Sequence, residues 1–383
     1  MKILVISNYY PPHYIGGYEL ACFNTVNFLK SCGHEVYVLT GNFIQESFHA
    51  ENIYRKLKYI NYDKPSFWNK HKVETHNYHL TKKLIKNIKP DLVYLWSLRL
   101  VSLAPAIAVQ DLKVNRIFEI GDFWMKGYCS NTIFSKIKRS IKSILPFTIC
   151  KEVDYSPAIC VSKWVEEKMK ETYHSKLTYV IPNGTTIYEK SKKNLKRTIN
   201  YMFCGRLDYS KGLDLALRAF SSLKDQGIYN FKLNVYGVGD KKYLKTCKNM
   251  VNVLNLNKEV HFLGKQNSIK TAYDSNDILL MPTRMEEPFG LVIIEAMAAG
   301  VVVIASTGYG PSEIISHKKN GLLFIREDVE DLTYNILKIH KNSYFYKKLR
   351  NNAFNLVFNK FNLLSVKKDV ETVLLNTIKK NVS

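Results

Sequence analysis

Short apolar runs alternate with helix-period segments along the chain. KILVISNYY (2–10) is a β-rich run that ends in a Pro-Pro loop. In the segment that follows, Leu20, Phe23, Val26 and Leu29 recur near helical spacing. Gly33 then stands where a C-cap glycine belongs, and EVYVLT begins a second apolar run. Strand, loop, helix and strand make a right-handed crossover on a parallel sheet. The pattern returns at PDLVYLWS (90–97), RIFEIGD (116–122), SPAICVS (156–162, continuing as a helix through KWVEEKMK) and KLTYVIPNG (176–184). Runs this uniformly apolar predict strands covered on both faces.

Residues 185–200 are polar, cationic and non-periodic, which marks a linker. A second series follows: YMFCGRLDYSKGLDLALRAFSSL, FKLNVYGVGD, VHFLGK, NDILLMPTR, EEPFGLVIIEAMAAGVVVIAS and NGLLFI. From about 351 to 380 the pattern is an amphipathic helix. The expected class is α/β, with two doubly wound domains facing each other across a cleft, and ligands at the carboxyl ends of the strands. A chain of 383 residues exceeds what one core usually supports, consistent with two domains. The stretches 42–80 and 122–150 carry no readable pattern.

Composition narrows the partners. The formal net charge is +23, and it is spread, with +10 over residues 1–184 and +13 over 185–383. Solvated cationic faces explain this as well as an anionic membrane surface or a phosphorylated substrate does. The segment SKIKRSIKSILPF (135–147) sets Ile137, Ile141, Ile144 and Leu145 among Lys and Arg, as a basic helix that packs its Ile stripe or lies on a membrane. Nucleic acid is not expected, since no zinc-finger spacing, RNA-binding motif or convincing helix-turn-helix occurs. The seven cysteines have no paired spacing and read as buried thiols in a reducing compartment. The first residues are too short an apolar run for a signal segment, so the expected setting is cytoplasmic, with peripheral membrane attachment as a variant.

Candidate chemistry gathers in three loops. In EEPFGLVIIEAMAAG, the helix opening at Gly290 and Leu291 would offer backbone N–H groups to a diphosphate. Glu295 lies one turn beyond Leu291 on the same face, where a carboxylate could accept both hydrogens of a ribose diol. Glu287 precedes the helix and could reach a sugar beyond the phosphates; in isolation it reads equally well as a capping acid. In FCGRLDYSKG, Arg206 and Lys211 follow a short strand beside Gly205, as a phosphate clamp would. Gly16 and Gly17 precede the first helix and would let backbone approach a ligand. YGVGD (236–240) is a truncated Gly-x-Gly-x-x-Gly that lacks its third glycine, so NAD binding is not expected. No Asp-x-Asp pair occurs, which removes the simplest metal–diphosphate site.

Taken together, these segments resemble glycosyltransferase family 4, the retaining nucleotide-sugar transferases of GT-B fold. SNYYPPHYIGGYE, PDLVYLWS, VSKWVEEKM, VIPNGTT, CGRLDYSKGLDLAL, VYGVGD, VHFLGK, MPTRMEEPFGLVIIEAMAAGVVVIAS and GLLF follow the family's order over nearly the whole chain. The resemblance implies an acceptor domain at 1–184, a donor domain at 185–360, and a closing helix, 361–383, that crosses back onto the first. Arg206 and Lys211 would bind the diphosphate and stabilise the leaving group. Glu287 would contact the donor sugar and Glu295 the ribose. Phe289, Gly290, Leu291 and Val292 would line sugar and phosphate. Gly16, Gly17, Gly205 and Gly237 would approach the donor, and Gly264 and Lys265 would frame the base. The implied reaction is front-face substitution with retention, without a metal or cofactor. The donor would be a UDP- or GDP-sugar, and the acceptor a hydroxyl in surface polysaccharide, lipopolysaccharide or glycolipid assembly.

One position departs from the resemblance. Many members carry a histidine before the aspartate of the motif matching FEIGDFW, and here Gly121 precedes Asp122. Asp122 is the residue expected to take over part of that role. The departure keeps two alternatives open: a sugar-nucleotide epimerase of the same fold, and a catalytically impaired nucleotide-sugar-binding subunit.

Overall fold

The computed structural model describes residues 1–43, 51–61, 66–127, 152–187, 195, 198–266 and 268–379. The expected basic helix at 135–147 and most of the linker lie outside the described residues. The chain forms two compact units, Met1–Ile181 with Lys367–Ser383, and Pro182–Val366.

In the first unit, strands β1 (Lys2–Ser7), β2 (Glu35–Gly41), β3 (Ile53–Leu57), β4 (Leu92–Leu95), β5 (Arg116–Ile120), β6 (Ala158–Cys160) and β7 (Thr178–Val180) make one sheet. Its order is β3-β2-β1-β4-β5-β6-β7, and every pair is parallel. The order reverses between β1 and β4, whose apolar residues Ile3–Ile6 and Leu92–Leu95 are fully buried. Helices Gly17–Ser31, Phe67–Ile88, Ala104–Asp111 and Lys163–Tyr173 connect the strands.

Two of these elements carried no readable pattern in the sequence. β3 is an edge strand with only β2 beside it, and Arg55 and Lys56 interrupt its apolar run. Arg55 turns inward to donate to the carbonyl of Tyr10 at 3.0 Å and to that of Pro11, which fixes the Pro-Pro loop. Helix Phe67–Ile88 is rich in Lys, His and Asn, yet Leu84, Ile85 and Ile88 are buried beneath it. Its start signal is Ser66, whose hydroxyl accepts from Asn69 N. Helix Gly17–Ser31 also turns differently from expectation. It buries Glu19, Cys22, Thr25, Val26 and Leu29, while Leu20 is exposed, so the buried face runs through Cys22 and Thr25 rather than Leu20. Of the described cysteines Cys32 is exposed rather than buried.

In the second unit, β8 (Ile199–Cys204), β9 (Phe231–Tyr236), β10 (Val260–Gly264), β11 (Ile278–Met281), β12 (Val302–Ser306) and β13 (Leu322–Phe324) follow the order β10-β9-β8-β11-β12-β13, again all parallel. The order reverses between β8 and β11. β8 begins inside the segment expected to be linker, because Ile199 enters the core at 3 % exposure. The expected single C-terminal helix is two, Ser343–Lys360 and Leu363–Lys379. The break falls where Thr185 N donates to Phe361 O at 2.8 Å and Leu363 N to Thr185 O at 3.1 Å, so the chain leaves the helix to pair with Thr185.

The last helix brings a charge into the first unit. Lys367 is 6 % exposed and its ammonium donates to Thr25 Oγ1, while His34 and Glu371 meet at 2.7 Å. Glu119 on β5 is also buried and accepts from Tyr94 Oη. Burial pushes the Glu119 carboxyl up to about 7, against the opposing pull of the Tyr94 hydroxyl and the Lys367 charge. The folded state therefore holds a proton that the unfolded chain releases near its ordinary value. That contribution is present below pH ~4.5 and is lost as pH rises through about 7. Glu119→Gln should keep its neutral form throughout. Melting curves across this window should show the wild type losing on the order of 1–3 kcal/mol relative to the variant. Parallel curves would remove the assignment.

Candidate active site

The carboxyl ends of β8 and β11, at the reversal of strand order, carry the two sequence segments richest in candidate chemistry. β8 runs into Gly205, Arg206 and a 3-10 turn, Tyr209–Lys211, before helix Leu213–Asp225. β11 runs into 282–290 before helix Leu291–Ala298. The structure brings Lys211 and Glu287 together at 2.8 Å, with side-chain exposures of 20 % and 18 %. An ion pair this far withdrawn from water is screened less than a surface one. Arg206 is different. It is 64 % exposed and reaches Asp208 at only 3.5 Å, a weak surface contact that leaves the guanidinium able to swing.

Gly290, at φ +97°, caps helix Leu291–Ala298, behind buried Phe289 and ahead of half-buried Leu291 and Val292. Glu295 is on the same helix. Its Oε2 accepts from Tyr273 Oη at 2.9 Å. Burial raises its carboxyl, and the Tyr273 hydroxyl opposes that shift. Tyr273 had no signal in the sequence; it is one aromatic among many and comes from a different helix.

Gly237 and its neighbour Gly239 have a packing reason to be glycine. A Cβ on Gly237, already at φ +127°, would lie 1.9 Å from Gly205 O, and one on Gly239 would lie 2.3 Å from Leu207 O. The two loops run backbone against backbone, with Gly205 N donating to Tyr236 O and Leu207 N to Val238 O. Gly237 N also donates to Gly264 O at 2.9 Å. The truncated glycine motif thus holds the Arg206 loop by close approach. Lys265 follows Gly264 at the exposed end of β10.

Gly16, Gly17 and Asp122 belong to the first unit. Gly17 is the first residue of helix Gly17–Ser31 rather than a residue before it, and Gly16, its N-cap, donates its N–H to Glu19 Oε2 at 2.9 Å, so Gly16 is anchored by the helix it caps. Both Asp122 oxygens are engaged, Oδ2 by Arg99 at 2.7 Å and Oδ1 by Trp124 N at 3.0 Å. At Gly121 the space that a side chain would need is filled. A Cβ there would lie 2.1 Å from Tyr18 Cε2. The ring is held, because Tyr18 Oη donates to Glu119 O at 2.6 Å and the ring lies against Trp96. A tyrosine, rather than empty space, stands where a residue-121 side chain would be. Gly121→His should therefore lower stability by about 1–3 kcal/mol through overpacking. Removing the ring as well, with Tyr18→Ala, should recover part of the loss in thermal melts. A single variant as stable as wild type would contradict this packing.

Among the described residues no group of three or more His, Cys, Asp or Glu could hold a metal, and no helix is long and apolar enough to cross a membrane.

Two family models match the chain: Glycosyltransferase Family 4 over residues 15–187 and Glycosyl transferases group 1 over residues 185–356. An uncharacterized glycosyltransferase of Methanocaldococcus jannaschii is 27 % identical, covering 97 % of each chain. Among solved structures, sucrose-phosphate synthase from Thermosynechococcus elongatus superposes with a TM-score of 0.77 at 19 % identity, covering 99 % of each chain. Anabaena HepE, solved with UDP and glucose, gives 0.75 at 20 % identity, covering 98 % of this chain and 100 % of that one.

Proposed function

Because the chain belongs to the family 4 glycosyltransferases of GT-B fold, we propose that it transfers a sugar, with retention, from a UDP- or GDP-sugar to an acceptor hydroxyl in surface-polysaccharide, lipopolysaccharide or glycolipid assembly. The observation that carries this reading is the Lys211–Glu287 pair at the β8/β11 reversal, with exposed Arg206 on the same loop. Reversal points are where open α/β sheets bind their ligands.

In this mechanism the bond from the anomeric carbon to the diphosphate breaks as the acceptor oxygen bonds to the same face. The acceptor proton passes to the departing diphosphate oxygen. Lys211 and Arg206 meet the charge that develops on that group; Lys211, held by Glu287 in a partly dry site, stabilises it without reorganisation, and the exposed Arg206 adds a second cation that closes on the diphosphate. Glu287 accepts from sugar hydroxyls and keeps the Lys211 ammonium aimed between them. The N-terminus of helix Leu291–Ala298 faces phosphate oxygens, and Glu295, oriented by Tyr273, takes the ribose. Cations fill the electrostatic role a metal has elsewhere. The spread positive charge suits a lipid-linked or membrane-adjacent acceptor.

A thermal-shift screen of nucleoside diphosphates and nucleotide sugars tests the donor half. HepE was also solved with UDP-glucose, which puts UDP and UDP-sugars first in the screen. A ligand at 100 times its Kd stabilises by about 2.7 kcal/mol, and the stabilising sugar nucleotide should then turn over. No shift with any nucleotide, or a shift without turnover in the presence of membrane lipid and glycan acceptors, would remove the proposal.

A further inference from the structure

We infer that Arg284, locked to Asp214, is a positioning residue that sets the Lys211–Glu287 pair; this rests on the transferase reading above. Arg284 lies three residues before Glu287, yet its side chain crosses to the other segment of the site. Its guanidinium grips Asp214 with two parallel bonds, Nη1–Oδ1 at 2.9 Å and Nη2–Oδ2 at 2.7 Å. Nη1 also donates to Tyr209 O at 2.8 Å, and the guanidinium lies over the Tyr209 ring at 4.0 Å. The backbones are joined as well: Arg284 N donates to Ser210 O at 2.7 Å, and Thr283 Oγ1 reaches the same carbonyl at 3.2 Å.

The turn so gripped is Tyr209–Lys211. One fork therefore fixes the 208–214 segment, which supplies the ammonium, against the 282–287 segment, which supplies the carboxylate. Asp214 is itself held by Tyr243 Oη at 2.7 Å. Burial alone would raise the Asp214 carboxyl; the Arg284 fork and the Tyr243 hydroxyl outweigh it and hold the group below the usual carboxylate range. Arg284 also reaches Glu327 at 3.2 Å, which ties a third loop to the same point. At 10 % side-chain exposure, and with its positive charge matched by Asp214, Arg284 is not placed to meet a phosphate itself. Its planar fork is the feature a lysine does not reproduce.

Arg284→Gln and Arg284→Lys, each alone and with Lys211→Met, test this. Both single variants should lower kcat tenfold or more with donor KM changed less than threefold, Lys being the milder. In the Lys211→Met background either should add less than twofold, because its effect passes through Lys211. Multiplicative losses, or unchanged kcat in both single variants, would overturn the inference. Should the wild type turn over no nucleotide sugar, the transferase reading fails by itself and hydrogen exchange decides the rest. Amides of 208–213 and 283–287 should exchange at least tenfold faster in Arg284→Lys while β12 and β13 are unchanged. Unchanged exchange there would overturn the positioning assignment independently of any activity.

Discussion

Lys211→Met is expected to lower turnover of the donor sugar by about 10²–10³-fold, the loss that follows removal of one preorganised group facing developing charge. The reason is geometric. Lys211 sits at the β8/β11 reversal, is 20 % exposed, and is held at 2.8 Å from Glu287. Methionine keeps the stem and deletes the charge. Glu287→Gln removes the other half of the pair and should cost a similar factor while leaving the fold intact, since glutamine keeps the shape and still accepts a hydrogen bond. Because the two side chains act as a unit, the double variant should be little worse than the worse single one. Arg206→Ala should cost less, since its side chain is 64 % exposed and only loosely held. Steady-state kinetics with the stabilising donor from the thermal screen decides the matter. Turnover within threefold of wild type in both Lys211→Met and Glu287→Gln would remove this pair from the chemistry.

Gly237→Ala should destabilise the protein by about 3–4 kcal/mol or more, near the upper end for a single substitution. Two independent costs meet at this residue. Its φ of +127° lies where a Cβ is strained. The Cβ would also stand 1.9 Å from Gly205 O, a backbone atom with no rotamer to change. Relief would require parting the loops after β8 and β9, and with them the bonds from Gly205 N to Tyr236 O and from Gly237 N to Gly264 O. Activity should fall with stability, because the Arg206 loop moves first. Gly33→Ala is the comparison: its φ is +81° but nothing lies within 4 Å of the added carbon, so only the strain remains. Urea melts that give the two variants the same loss would show that close approach is not the cause.

How much of this could be read from the sequence depended on whether a residue's partner was local. The buried parallel strands were legible because Ile3–Ile6, Leu92–Leu95 and Val302–Ala305 are covered on both faces, and uniform hydrophobicity marks such a strand without knowledge of its neighbours. β3 was not legible, since an edge strand is half exposed and carries Arg55 and Lys56. The Thr185 contact that splits the C-terminal helix was also hidden, because it joins residues far apart in the chain.

By itself the sequence determined the α/β class, the succession of strands along the second series, and the loops in which the candidate chemistry collects. Each of these depends on the period and residue type of one continuous segment. Only the tertiary structure decided which charges meet. Lys211 could have faced Asp208 or Asp214, each three residues from it, but it pairs with Glu287, which lies 76 residues away. Arg284 read as one cation among 56, and its role comes from a fork that closes on Asp214 across the strand reversal. In the sequence Gly121 is a missing side chain, whereas in the fold the Tyr18 ring occupies that space. Pattern is a property of one segment, whereas a hydrogen bond, an ion pair or a clash is a property of two segments, and folding alone brings those together.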